Sequence, residues 1–328
     1  MGKQTEKTEG VKKQIWAYAG LLFVVFVWGA APLVSAYLYR YYTATISTAV
    51  SSLISAISLL LISLPHLKKL NRAYFKIAVP TGVFNSIAAI LQKIGLQYTT
   101  PTQYAFLENL SCVIVPVLLF FLIRKKPGVL TVVASLLCLA GSFILSGMDF
   151  STNSISFGKG EILCALAGLF YGVNIAVTGT YAKDFYAPLY VMIQIGIHTV
   201  LSFATAFALH FIKIDGVPIE PIVFPWNIKL LLLMAVEALV SSTLCWVIRV
   251  NVMRRINASA VAVIMPCSAV VTGVLSVALG MDTLTLSFGL GAGISFLAAL
   301  LSSISDITEN GKTRTKKEEN EEKTTASP

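Results

Sequence analysis

Glu108 and Asn109 stand side by side within YAFLENLSCVIVPVLLFFLI, residues 104–123, a run long and apolar enough to cross a bilayer. A carboxylate at membrane depth costs about 3 kcal/mol even on gentle insertion scales. Such a group needs a reason to be there: a cation to neutralise it, a proton to carry, or a substrate to bind. By helical rise Glu108 lies about 10 Å inside the membrane boundary, and Lys93, on the preceding run, ends about 7 Å below the same boundary. A Lys93–Glu108 ion pair is therefore geometrically easy. In the other arrangement Lys93 snorkels to the headgroups and leaves Glu108 facing a cavity.

Thr102, Ala105, Glu108, Asn109, Cys112 and Pro116 recur at helical spacing and form one small and polar stripe. Thr81, Asn85, Ala88 and Gln92 form its counterpart on the preceding run. Stripes of this kind serve as helix-packing seams, but a seam has little use for a carboxylate, so Glu108, Asn109 and Asn85 are candidate substrate ligands. Pro116 deprives the Cys112 carbonyl of its helical donor and leaves it free to accept from elsewhere.

Of the 16 acids, the other one deep in an apolar run is Glu237. It lies about 14 Å deep by helical rise, near the midplane. Desolvation there disfavours the anion. His198 reaches similar depth from the opposite side, so a Glu237–His198 pair and a neutral hydrogen-bonded carboxyl are both open, and either residue is a candidate for proton coupling.

These residues are positioned by helices. Hydrophobic residues make up 56% of the chain and charged residues 12%, with a mean hydropathy of +0.77, the balance of a polytopic membrane protein. Ten apolar runs are long enough to span: 15–38, 43–64, 76–98, 101–123, 128–147, 159–181, 187–211, 228–249, 257–279 and 283–305. The fold expected is all-α, and the runs are too long and too poorly alternating for barrel strands. If the N-terminus is cytoplasmic, the inner segments and span ends hold 20 of the 25 Lys and Arg. That asymmetry places both termini in the cytoplasm and explains the net charge of +9 without nucleic acid. All five cysteines fall within the runs and read as small packing residues. The polar ends, 1–14 and 306–328, are expected to be disordered.

The chain also repeats. WGAAPLVSAYLYRYYTA (28–44) aligns without a gap on YGVNIAVTGTYAKDFYA (171–187), matching Trp28 to Tyr171 and Gly29 to Gly172. ILQKIGLQYTTPTQYA (90–105) aligns on CWVIRVNVMRRINASA (245–260) and brings Lys93 within one position of Arg249. Two five-helix repeats, 15–147 and 159–305, joined by an outer loop at 148–158, follow. Five is odd, so the second repeat must be inverted, the arrangement that places a carrier's site near the midplane. Trp28 and Tyr171, with Asn174 one turn further on, become candidate substrate ligands, since aromatic faces hold organic cations or apolar groups.

Several segments carry a resemblance to a known family. FVWGAAPL (26–33) resembles the Trp-Gly signature of the EamA-type drug/metabolite transporters. GLQYTTPTQYAFLENLSCVIVPVLLFFLIRKKP (95–127) and NASAVAVIMPCSAVVTGVLSVALGMD (257–282) are similar to that family's third-to-fourth and ninth spans. The sequence departs from the pattern at Glu108, normally small or hydroxylic, and at Asp282, normally Glu. The resemblance implies a secondary transporter that moves a small organic metabolite by alternating access, in the efflux direction, driven by proton exchange or the substrate gradient. The acids favour an amine or amino acid. The partners expected are a small-molecule substrate and the lipid bilayer, with the chain a monomer or homodimer.

A membrane-embedded enzyme with Glu237 and His198 as acid and base on a lipid-like substrate is the alternative. Against it, the sequence has no His-Glu-x-x-His helix, no Gly-x-Ser-x-Gly elbow and no P-loop. No cofactor or metal is expected, because the 3 histidines lie far apart.

Overall fold

The computed structural model describes residues 2–96, 98, 107–124, 126–145, 158–211, 226–280 and 285–325, with side chains described between residues 12 and 309. Among these residues every regular element is helical. In chain order they are α1 (Gly2–Leu38), α2 (Ala44–Ser63), α3 (Arg72–Leu96), α4 (Ser111–Ile123), α5 (Val129–Leu145), α6 (Lys159–Tyr181), α7 (Ala187–Phe211), α8 (Ile228–Val252), α9 (Ala258–Ala278) and α10 (Leu286–Thr325). The helices α4 and α5 are short, at 13 and 17 residues, and the other 8 contain stretches long and apolar enough to span a bilayer. Thr102, Ala105 and Asp282 lie outside the described residues.

The ends differ from the disorder expected of them: α1 starts at Gly2 and α10 runs on to Thr325. Both extensions are rich in Glu and Lys, which are strong helix formers.

The packing obeys an exchange rule. Under a swap of each helix with the one five later, α1 on α8 becomes α6 on α3, α1 on α9 becomes α6 on α4, and α2 on α8 becomes α7 on α3; each contact and its twin is present. The pairs α2 with α7 and α5 with α10 map onto themselves, and both are extensive. This is the pseudo-two-fold relation of two repeats whose odd helix count inverts one against the other.

Glycine sets the approach at equivalent places. A Cβ at Gly29 would fall 2.7 Å from the Ser268 carbonyl oxygen on α9, and one at Gly172 would fall 2.9 Å from Ile114 Cγ2 on α4. At the α1–α9 crossing Thr272 also donates to the Gly29 carbonyl at 2.7 Å. Both target helices are interrupted near these contacts, by a turn at Asn109–Leu110 before α4 and at Met265–Pro266 within α9.

The outer faces carry large apolar side chains such as Phe121, Phe211, Val200 and Leu286, while the buried faces are rich in Ala and Ser. Lipid tails are as apolar as Leu, so close packing and interhelical hydrogen bonds hold such a bundle together. On α2, Ser55 donates to the Ala238 carbonyl at 2.9 Å and Ser58 shares a hydrogen bond with Thr243 at 2.9 Å. These bonds lock α2 onto a π-helical stretch of α8, Ala238–Leu244, where widened winding turns backbone carbonyls towards neighbouring helices.

Candidate functional site

Two polar centres occupy the interior, one near each end of the repeat-related pair α3 and α8. Lys93 is in the last turn of α3 and Arg249 in the last turn of α8. Each cation lies at the negative end of its own helix dipole. Because the repeats are inverted, those two helix ends face opposite sides of the bundle.

Around Lys93 the expected ion pair with Glu108 is not formed. The Lys93 ammonium lies 5.4 Å from the Tyr39 ring centroid, with Glu237 and Glu108 both close enough to act on it electrostatically. Glu108 instead accepts from Gln92 Nε2 at 3.0 Å. The reason is helical geometry: Gln92 and Lys93 are consecutive, so their side chains leave α3 about 100° apart. Gln92 turns towards Glu108 and α6, where Tyr171 donates to its Oε1 at 2.7 Å. Lys93 turns towards α1, α7 and α8.

Glu237 accepts from Ser35 Oγ at 3.3 Å, at the start of the π-helical stretch. The Glu237–His198 hydrogen bond is likewise not formed. His198 is buried with Nδ1 unpartnered, and the charge that acts on it is that of Lys93. A void of about 10 Å³ adjoins Lys93 and is lined by Thr45, Thr48, Ile90, Ser202 and Thr205.

Around Arg249 the environment is aromatic and neutral. The guanidinium lies 4.1 Å from the Trp246 ring centroid and 5.6 Å from that of Trp28, and Nη2 donates to Asn174 Oδ1 at 2.7 Å. Trp28 is fixed by donating Nε1 to the Ser241 carbonyl at 3.1 Å, and its ring meets Trp246 at 5.4 Å. Asn174 is held in turn: its Nδ2 donates to the Thr81 carbonyl at 3.0 Å. Thr81 Oγ1 shares a hydrogen bond with Tyr190 at 2.8 Å and accepts from Gln194 at 2.8 Å, while Thr178 meets the Tyr190 hydroxyl at 3.0 Å. This network joins α3, α6, α7 and α8.

The sequence candidates are thus divided. Glu108, Lys93, Glu237 and His198 belong to the first centre and Trp28 and Asn174 build the second, while Tyr171 lies between them, bonded to Gln92 and close enough to Arg249 to act on it electrostatically. Asn85 is buried with Oδ1 unpartnered. Asn109 is turned away from both and donates to Ser142 on α5 at 2.9 Å. Arg249, Trp246, Tyr190 and Gln194 were not among the candidates. Arg249 reads in the sequence as one more base at an inner span end, and its burial shows only once α6 and α7 pack over it. The serines at 47, 51, 55 and 58 of α2 carried a signal in their one-turn spacing.

A separate cavity of about 370 Å³ opens where the last turns of α4 and α6 meet the starts of α5 and α9 and the later part of α10. Pro116, Thr180, Lys183, Ser259, Asp306 and Glu309 are among its walls. Asp306 is buried there and ties two helices together, accepting from the Tyr18 hydroxyl and from the Asn257 backbone N–H, each at 2.9 Å.

The model of the EamA-like transporter family matches twice, over residues 15–147 and 158–304. The chain belongs to that family. An uncharacterized transporter of Archaeoglobus fulgidus is 25% identical over 303 residues, 92% of this chain and 90% of its own. The uncharacterized transporter YetK of Bacillus subtilis is 27% identical over 168 residues, 48% of this chain and 50% of its own. A protein of known crystal structure shares the fold with a TM-score of 0.69 at 15% identity, covering 89% of this chain and 99% of its own. Membership of the family makes the chain a membrane-spanning transporter.

Proposed function

We propose that this protein is a secondary active carrier that moves a small organic metabolite across the cytoplasmic membrane by alternating access, in the efflux direction, with both termini in the cytoplasm. The observation that carries the reading is the placement of Lys93 and Arg249. Two interior cations, Arg249 buried and Lys93 half-buried, sit at equivalent points of inverted repeats, so one lies towards each face of the membrane, where a rocking motion would open them in turn. The distribution of 20 of the 25 basic residues on one side supports the orientation.

In this reading Glu237 is the coupling acid. It has Ser35 and Lys93 beside it, and its proton is exchanged when the Lys93 side opens. Glu108, Gln92 and Tyr171 line the route between the centres. The enzymatic alternative needs Glu237 and His198 in concert, and the arrangement of Glu237 on Ser35 gives it no support.

The test is counterflow. Purified protein in proteoliposomes loaded with an unlabelled metabolite should accumulate the labelled compound above its external concentration, and uptake should respond to an imposed pH gradient. Chemical conversion of a compound without accumulation of any would overturn the carrier reading.

A further inference from the structure

Arg249 poses a problem that the carrier reading does not solve by itself. Its side chain is 2% exposed, yet no carboxylate among the described residues pairs with it. Nη2 is satisfied by Asn174, while Nε is buried without a hydrogen-bond partner. The interior acids are engaged elsewhere: half-buried Glu237 with Ser35, and buried Asp306 with Tyr18 and Asn257. Glu108 is held by Gln92 in the Lys93 centre. The rings of Trp246 and Trp28 offer the charge some compensation, but they give Nε–H no acceptor. A desolvated guanidinium whose Nε–H has no acceptor is suited to receive an oxyanion, to which it gives a charge-assisted hydrogen bond.

We propose that Arg249 anchors a carboxylate carried by the transported molecule, so that the substrate is an organic monocarboxylate, with or without an amine elsewhere on it. The inference rests on the carrier reading above and names the substrate class of that same site. One uncompensated positive charge calls for one negative charge. A phosphate dianion would leave an excess charge buried, since the partners described around Arg249 include no second base. The aromatic walls suit a carboxylate with an apolar body, whose hydrocarbon would lie along Trp28 and Trp246 while Asn174 keeps the guanidinium in plane. In this conformation the guanidinium is sealed, and the substrate reaches it when the helices over it part.

The test uses full-length protein and a set of amino acids and aliphatic and aromatic monocarboxylates, each paired with its own neutral amide. Binding is read by thermal shift and by tryptophan fluorescence. Of the 4 tryptophans, Trp16 and Trp226 are 76% and 89% exposed, so a ligand-dependent change reports on the half-buried pair at Arg249. At least one acid should bind, and its amide should bind at least tenfold more weakly. Arg249→Gln should abolish that preference and Arg249→Lys should keep part of it. If Arg249→Gln does not fold, the acid-to-amide ratio and the fluorescence response of the unaltered protein decide. Overturning results are an acid preference that survives in folded Arg249→Gln, binding confined to amines or amides, or no binding by any acid of the set. Counterflow of the same set separates the two readings: exchange of a neutral or cationic compound alone keeps the carrier and removes the carboxylate site, whereas acid binding without any exchange does the reverse.

Discussion

The centre at Lys93 and the centre at Arg249 descend from one architectural position, and they solve the problem of a buried charge differently. Lys93 draws on carboxylates from both repeats, Glu108 before α4 and Glu237 on α8, and on the Tyr39 ring. Arg249 has two indole faces and an amide, and no acid among the described residues pairs with it. Pseudo-symmetry therefore preserves where the cation stands and leaves free what surrounds it. The first centre sets two carboxylates about one ammonium. The second has no acid beside its guanidinium among the described residues, and the proposed substrate carboxylate would supply one.

The largest expected effect separates the two directly. Lys93→Met leaves the half-buried carboxylates of Glu237 and Glu108 without the ammonium that acts on them and should cost about 2 kcal/mol of stability. Arg249→Met strands only the Asn174 oxygen and should cost about 1 kcal/mol. Unfolding of both variants in matched detergent, alongside Lys93→Met with Glu237→Gln, gives the comparison. The double variant should recover much of the Lys93→Met loss. Equal losses in the two single variants would mean that the Arg249 centre hides a compensating acid.

Asn174→Ala comes next. It removes both the bond to Arg249 and the bond to the Thr81 carbonyl, and should cost about 2 kcal/mol, measured the same way. A smaller change follows for Trp246→Leu, which takes away the nearer ring face and should cost about 1 kcal/mol beyond its packing. The equivalent change at the other centre, Tyr39→Leu, should cost less, because acids remain to hold Lys93. Ser35→Ala, which deletes the hydrogen bond that Ser35 donates to Glu237, should lower stability by less than about 1 kcal/mol.

The sequence made the scaffold readable because a bilayer allows few solutions. Runs of about 20 apolar residues must be helices, and five per repeat forces inversion. The Gly29 and Gly172 match in the alignment corresponds to two close helix crossings at equivalent places. Pairing was harder to read. Lys93 and Glu108 looked like partners because a tight hairpin joins their helices, but the rotation between Gln92 and Lys93 gives Glu108 to the amide and sends the ammonium elsewhere. Glu237 and His198 match in depth, and depth says nothing of which face of α7 meets which face of α8. Arg249 was masked by the positive-inside pattern, which counts bases near span ends and is blind to their burial.

Alternating access around these two centres is most directly tested by thiol labelling from defined sides of the membrane. In a background without the native cysteines, Thr48→Cys would report on the Lys93 side, where Thr48 lines the void, and Ser259→Cys on the cavity at the other end. Asp306→Ala removes the tie between Tyr18 and Asn257 and should let that end open more often. The account predicts that this change raises labelling at position 259 and lowers it at position 48, because one motion about the pseudo-two-fold serves both ends. Labelling that rises at both positions together, or that rises at 259 with position 48 unchanged, would contradict it.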